Sequence, residues 1–167
     1  MCTKLARMKF DLIDRKILEI LQENAKITNA QLSKEIGLSP APTLERVKKL
    51  ENAGIIQSYH ARLNPQSIGL GVSTFITVTL TGHKKEHIDK FIGYVNNIPE
   101  IVEVHHITGA GDFMLKVVST DIPAYQKLLV EVINEIPEID NTQSTMVLST
   151  FKDTKVMPIP DTTVEMA

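Results

Sequence analysis

The most constraining stretch of this sequence is the punctuation between Thr28 and Pro40, which confines two helices and one turn to narrow positions. Thr28 can cap a helix, Gln31 three residues on completes a capping box, and Ile27 can staple to Leu32 across the cap. Gly37 supplies a left-handed stop, leaving a helix of about two turns over residues 29–36. Ser39 is a natural cap for the next helix, and Pro40 suits its first position, where no N–H is needed. Pro42 removes one donor from that first turn, so the Ser39 hydroxyl is expected on Ala41. Leu44, Val47 and Leu50 read as the inward face and Gly54 as the stop. Thr43, Arg46, Lys48 and Lys49 are left outside. Upstream, residues 11–24 carry Leu12, Ile13, Ile17, Leu18, Ile20 and Leu21 at helical period. Asp11 and Asp14 sit at the start of that helix, where its dipole favours negative charge.

A short capped helix, a tight turn and a longer helix with a basic outer face describe a helix-turn-helix. Such a third helix can enter the major groove, where side chains reach base edges. Ser39 and Thr43 can bond phosphate oxygens, Arg46 can read guanine through two hydrogen bonds, and Lys48 and Lys49 suit phosphates. Against this stands a plainer reading. Basic residues on a solvated helix face are ordinary, and Arg46 can instead pair with Glu45, Glu51 or an acid on the first helix. The charge distribution leans toward the polyanion reading. Residues 1–64 carry 11 Lys and Arg against 7 Asp and Glu, a net +4, whereas residues 65–167 carry 7 against 13, a net -6. A basic small domain is joined to an acidic larger one.

Residues 55–63 alternate loosely and read as a strand, broken by Asn64-Pro65. Val72, Thr74, Ile76, Val78 and Leu80 then alternate with polar residues, a half-buried strand. A helix follows over residues 84–97, strands over 101–108 and 113–120, a second helix opened by Asp121 and Pro123, and a last strand over about 143–152. The order β-α-β-β-α-β is a ferredoxin-like arrangement with an antiparallel sheet and two helices on one face. The bare sheet face calls for a second copy, so a dimer follows from the topology. The turn Gly109-Ala110-Gly111-Asp112 allows positive φ and close approach to its N–H groups, which could hold a carboxylate. Asp112 could take an ammonium group, and the two together match the ends of an amino acid. A plain hairpin turn, with Asp112 bonding its own backbone, accounts for the same residues.

Three segments carry a resemblance as well as a pattern: residues 12–18 (LIDRKIL), 30–39 (AQLSKEIGLS) and 44–51 (LERVKKLE) with Gly54-Ile55-Ile56. Together with residues 107–113 (ITGAGDF), they resemble the Lrp/AsnC family of feast/famine regulators over nearly the whole chain. The resemblance implies an α+β protein. A winged helix-turn-helix of three helices would be joined by a strand to a ferredoxin-like βαββαβ domain. It divides the chain into residues 10–64 for DNA binding, a hinge at 65–71, an effector-binding and oligomerising domain at 72–153, and a tail at 154–167. It places Ala30, Ser39, Pro40, Thr43, Arg46, Lys48 and Lys49 toward double-stranded DNA. It places Thr108, Gly109, Ala110, Gly111 and Asp112 at an effector, an amino acid or related small metabolite, with Thr142 and Ser144 reaching it from a neighbouring subunit. Ala110 and Gly111 are smaller than the residues relatives often have there, which widens the expected pocket. The implied assembly is a homo-oligomer of dimers, up to an octamer built as a tetramer of dimers. The function implied is sequence-specific regulation of transcription in response to a small metabolite. The rival is an architectural DNA-binding protein with little sequence preference.

Other classes find little support. No apolar run is long enough to span a bilayer, and the start of the chain lacks the apolar core of a secretory signal, so a cytoplasmic protein without membrane contact is expected. The single cysteine, Cys2, cannot form an internal disulfide. His83 and His87 have no third ligand at a supporting spacing, and His105 and His106 should point to opposite sheet faces. With no nucleophile motif, acid/base pair or phosphate loop, neither an enzyme nor a metal or other cofactor is expected. The tail is read as disordered or as lying across a partner subunit.

Overall fold

The computed structural model describes residues 11–160. The chain divides into two compact units, Met1–Arg62 together with Lys152–Ala167, and Leu63–Phe151.

The first unit is helical: α1 (Leu12–Glu23), α2 (Asn29–Ile36) and α3 (Pro40–Asn52). Both of its first helices open with reciprocal caps. Asp14 N–H donates to Asp11 Oδ1 at 2.7 Å while Asp11 N–H reaches back to Asp14 Oδ2 at 3.4 Å. Gln31 N–H donates to Thr28 Oγ1 at 3.2 Å, and Thr28 N–H to Gln31 Oε1 at 3.1 Å. Each pair satisfies N–H groups that the first turn of a helix leaves open. Gly37 ends α2 at φ 73°, the left-handed conformation that glycine adopts without a Cβ clash. Ile17, Leu18, Leu32, Ile36 and Leu50 form the core, with Ile27 and Val47 packed against it.

The phase of α3 differs from the expected one. Thr43 is fully buried, whereas Leu44 is 44% exposed and lines an open apolar groove with Leu21, Ile27, Val47 and Tyr59. Burial of a hydroxyl is tolerable because Thr43 Oγ1 donates to the Ser39 carbonyl at 2.9 Å, one turn back. Ser33, buried on α2, does the same with the Ala30 carbonyl. The expected Ser39 cap is also absent, for its side chain makes no capping hydrogen bond. Residues 55–64, expected to contain a strand, form no ladder. A strand exists only by pairing, and among the described residues no second strand lies alongside.

The second unit holds β1 (Val72–Leu80), α4 (Lys85–Val95), β2 (Ile101–His106), β3 (Phe113–Ser119), α5 (Ile122–Leu128) running into a π-helical turn over Leu129–Ile133, and β4 (Ile139–Met146). The sheet order is β2-β3-β1-β4, with every neighbouring pair antiparallel. This is the expected ferredoxin-like topology. One face buries Ile76, Val78, Leu80, Phe113, Leu115 and Val117 beneath Phe91, Val95, Tyr125 and Ile133 of the helical layer. Phe91 and Phe113 meet at 4.8 Å between ring centroids, tilted by 45°. Fully burying a side chain such as Phe91 is worth about 1.5–3 kcal/mol. On the other face, Phe75, Thr77, Met114, Lys116 and Val118 are half-buried, with no layer over them among the described residues of this unit.

The end of the sheet departs from the expected span. The last strand begins at Ile139 and ends at Met146, several residues before the expected span. Its run of Asp, Asn, Thr, Gln and Ser is that of an exposed edge strand, whereas the apolar Leu148, expected inside the strand, is 94% exposed. Of the tail, the described part reaches residue 160, and Ile159 packs against the helical core. No helix among the described residues is long and apolar enough to cross a membrane.

Candidate nucleic-acid interface and effector turn

In the helical unit, Asn29 Nδ2 donates to the Pro40 carbonyl at 2.8 Å, tying the start of α2 to the start of α3. Ala30, Ser39, Pro40, Lys48 and Lys49 are exposed. The Ser39 hydroxyl and the Ala41 N–H thus lie at an accessible helix start, where Pro40 and Pro42 carry no N–H and the Thr43 N–H is held by the Ser39 carbonyl. Two other expected DNA-facing residues are placed differently. Thr43 faces the core and cannot reach a phosphate. Arg46, with its side chain 30% exposed, braces α3 against the start of α1, its Nη1 lying 2.6 Å from Asp11 Oδ2 and 2.7 Å from Asp14 Oδ1.

Asp14, which the sequence shows only as a charge favoured by the dipole at the start of α1, is the buried member of this trio. It is only 2% exposed, and a carboxylate so buried requires a cationic partner. Arg46 supplies it and locks α3 to the first turn of α1. The Asp14 backbone N–H and the Arg46 guanidinium hold the Asp11 carboxyl below its ordinary pKa, against an opposing push from burial. The same two carboxylates raise Arg46. Beyond α3, partial burial and a 2.9 Å hydrogen bond to Glu51 push the Tyr59 hydroxyl up to about 12.

In the sheet unit, the turn at residues 109–112 is more tightly built than a plain hairpin. Gly109 takes φ 122°. Gly111 is held against β1: a Cβ there would lie 2.5 Å from Thr77 Cγ2 and 3.0 Å from the Val78 carbonyl oxygen. Ile107 N–H closes the turn on the Asp112 carbonyl at 2.9 Å, but the Asp112 side chain does not bond its own turn. The Asp112 N–H donates to the Val78 carbonyl at 2.9 Å, and its Oδ2 accepts the Leu80 N–H at 2.8 Å. Its Oδ1 lies 2.9 Å from His83 Nε2. The carboxylate is thereby fixed to the end of β1 with its side chain 19% exposed, under a His83 ring that is 72% exposed. Among the described residues, no hydrogen bond engages the N–H groups of Thr108, Gly109, Ala110 or Gly111. A fixed carboxylate and free N–H donors therefore stand together.

Thr142 and Ser144 are not brought to that turn within one chain. They pair with Val78 and Ile76 from the far side of β1, and both face the helical layer. Thr142 Oγ1 donates to Asn134 Oδ1 at 3.0 Å, and the Tyr125 hydroxyl donates to Ser144 Oγ at 2.5 Å. His83 and Tyr125 are site neighbours that sequence reading missed. Tyr125 lies at helical spacing with the apolar residues of α5, and a buried phenol needs a partner for its hydroxyl. His105 and His106 point to opposite faces, as expected. His105 meets Glu103 at 3.2 Å on the open face, and His106 stacks on Phe113 at 4.7 Å.

Residues 10–57 match the winged helix-turn-helix DNA-binding family, and residues 73–157 match the Lrp/AsnC ligand binding domain. The leucine-responsive regulatory protein of Escherichia coli K12 is 38% identical over 149 residues, which cover 89% of this chain and 91% of that one. Among solved structures, a transcriptional regulator of Neisseria meningitidis in complex with L-Met aligns with a TM-score of 0.86 at 36% identity, covering 90% of this chain and 97% of the other. AsnC of E. coli aligns with a TM-score of 0.83 at 31% identity, covering 90% of this chain and 100% of its own. With both domains matched in order and the fold in agreement, the chain belongs to the Lrp/AsnC family of transcriptional regulators, with a DNA-binding helix-turn-helix and a ligand-binding domain.

Proposed function

We propose that this protein binds specific operator sequences through α3 and adjusts that binding in response to an amino acid held at the turn of residues 108–112. The observation that carries the sensing half is the pairing of the fixed Asp112 carboxylate with unengaged N–H groups on the same turn. A zwitterion carries the complementary charges, an ammonium for Asp112 and a carboxylate for the N–H groups. The L-Met bound to the Neisseria regulator supports this ligand class. The ligand ammonium takes the place of His83 on Asp112 Oδ1, and Thr142 and Ser144 complete the site from a second subunit. The half-buried open face of the sheet is the natural seat of a dimer, from which larger assemblies of dimers are built.

On the DNA side, Ala30, Ser39, Pro40, Lys48 and Lys49 make the contacts, and Arg46 acts as a positioning residue. No observation favours the architectural reading.

A thermal-shift series of the full chain with the twenty amino acids, L-methionine and L-leucine first, tests the sensing. A true ligand raises Tm progressively with concentration. Asp112→Asn retains an acceptor for Leu80 N–H but loses the charge, and should weaken the response by about tenfold or more. Concentration-independent melting with all twenty refutes the reading. For DNA, Lys49→Ala should weaken binding to all sequences and reduce the salt slope by about 1. Arg46→Ala should lower DNA affinity and helical-unit stability together. Affinity lost with stability untouched would return Arg46 to direct contact.

A further inference from the structure

After β4 the chain passes through Val147, whose N–H still bonds the Ser73 carbonyl, and returns to the helical unit. There residues 157–160 dock along α1, preceded by an ion pair to Arg62 outside that helix. Arg62 Nη2 meets Asp153 Oδ2 at 3.0 Å. Gln22 grips the backbone of Met157 with both ends of its amide, Oε1 accepting the N–H at 2.6 Å and Nε2 donating to the carbonyl at 3.2 Å. Arg15 donates to the Pro160 carbonyl. Between these contacts Ile159 packs against the core of Ile17, Leu18, Leu32, Ile36 and Leu50.

The lengths fit. Three extended residues, from 157 to 160, span about 10 Å, and the seven residues from Gln22 back to Arg15 rise about 10 Å along a helix. Pro158 and Pro160 flank Ile159, restrict the segment before it docks, and leave few N–H groups needing partners. Met157, the residue before Pro158, holds its N–H on Gln22. The strap therefore meets α1 in one register, by backbone recognition and one apolar anchor.

We propose that the outer face of α1 is a docking site for the chain's own residues 157–160, and that the docked strap sets the DNA affinity of the helical unit. Both ends of the connection are visible. Arg15 and Gln22 hold the strap on α1, and Asp11 and Asp14, on the same helix and at its start, hold Arg46 of α3. Release of the strap uncovers one side of α1 and loosens the strut that sets the pitch of the recognition helix. The proposal deepens the DNA-binding reading and is independent of the ligand.

The test uses the full chain, a duplex selected from a random pool by the wild type, and fixed ionic strength. In the absence of DNA, the Met157 amide should exchange with solvent about tenfold or more slowly than in a free chain. Gln22→Ala and Ile159→Asp should each abolish that protection and weaken binding to the duplex by roughly fivefold or more, with the oligomer size unchanged. Gln22→Glu keeps the acceptor for Met157 N–H and should fall between. Should Ile159→Asp unfold the helical unit, Gln22→Ala carries the test, because it removes no core side chain. A Met157 amide that exchanges at the free-chain rate in the wild type overturns the docking. DNA affinity within about twofold of wild type in Gln22→Ala, once protection is lost, overturns the control of DNA binding. Equal binding of random and selected duplexes refutes sequence specificity instead, and leaves the strap to be judged by the same comparison on either duplex.

Discussion

Replacing Gly111 with alanine adds one methyl group to the tightest contact of the effector turn. The new Cβ would stand 2.5 Å from Thr77 Cγ2, 3.0 Å from the Val78 carbonyl oxygen and 3.5 Å from its carbon. Carbon atoms rest about 3.5–4.0 Å apart, so the first contact is short by roughly 1 Å. Relief requires the turn to move off β1, and the hydrogen bonds from Asp112 N–H to Val78 and from Leu80 N–H to Asp112 resist that. Overpacking of this kind costs about 1–3 kcal/mol. For a unit of this size that corresponds to a fall in Tm of roughly 5–15 °C. Calorimetry of the full chain reads it directly. Thr77→Ala removes the Cγ2 and leaves the carbonyl contact, so the double variant should recover part of the loss, a coupling characteristic of touching residues. Gly109→Ala is the control. Nothing lies within 4 Å of its added Cβ, but φ 122° strains any L-residue, so its cost should not respond to Thr77→Ala. A Gly111→Ala protein melting within about 1 °C of wild type, or a loss that Thr77→Ala leaves whole, refutes the close-approach argument.

Thr28→Ala removes the acceptor of the α2 capping box and should cost about 1 kcal/mol, read by denaturant unfolding of the helical unit. Glycine at the same position should cost only a few tenths of that loss, since it too is a favoured cap. The Asp11 carboxyl is held below its ordinary value of 3.8, so the folded state binds fewer protons there than the unfolded chain. Its contribution is complete above the unfolded value and is lost as pH falls through the lowered one. Acid unfolding of the helical unit should therefore shift to higher pH in Asp11→Asn, measured by circular dichroism.

Capping residues made the helices legible, because each acts on neighbours within four positions. Thr28, Gln31 and Gly37 bounded α2 at Asn29–Ile36 with no knowledge of the rest. The ferredoxin-like order emerged for a similar reason, from the alternation in β1 and β3. What escaped was decided by partners distant in the chain. Thr43 and Leu44 are neighbours on α3, yet the threonine is the buried one and Leu44 stays 44% exposed. Asp112 looked like a local turn residue, but its acceptors serve Leu80 and His83, about thirty positions away. The edge strand β4 hides because its polar residues carry no apolar alternation, while the apolar residues after it imitate a strand. For the same reason the Val-Met-Pro-Ile-Pro run at residues 156–160 reads as a loose tail until Gln22 is seen holding it.

The adjacent imidazoles of His105 and His106 acquire a use from their opposed directions. One belongs to the sheet face that a second subunit would cover, beside Glu103 and, through it, Lys116. The other is stacked on Phe113, next to Asp112 and the turn where the ligand is proposed to sit. Their ring protons form a natural pair of spectroscopic reporters, separated by one peptide bond but sampling different surroundings. A proton NMR titration that resolves both can follow assembly through His105 and ligand binding through His106 in the same sample.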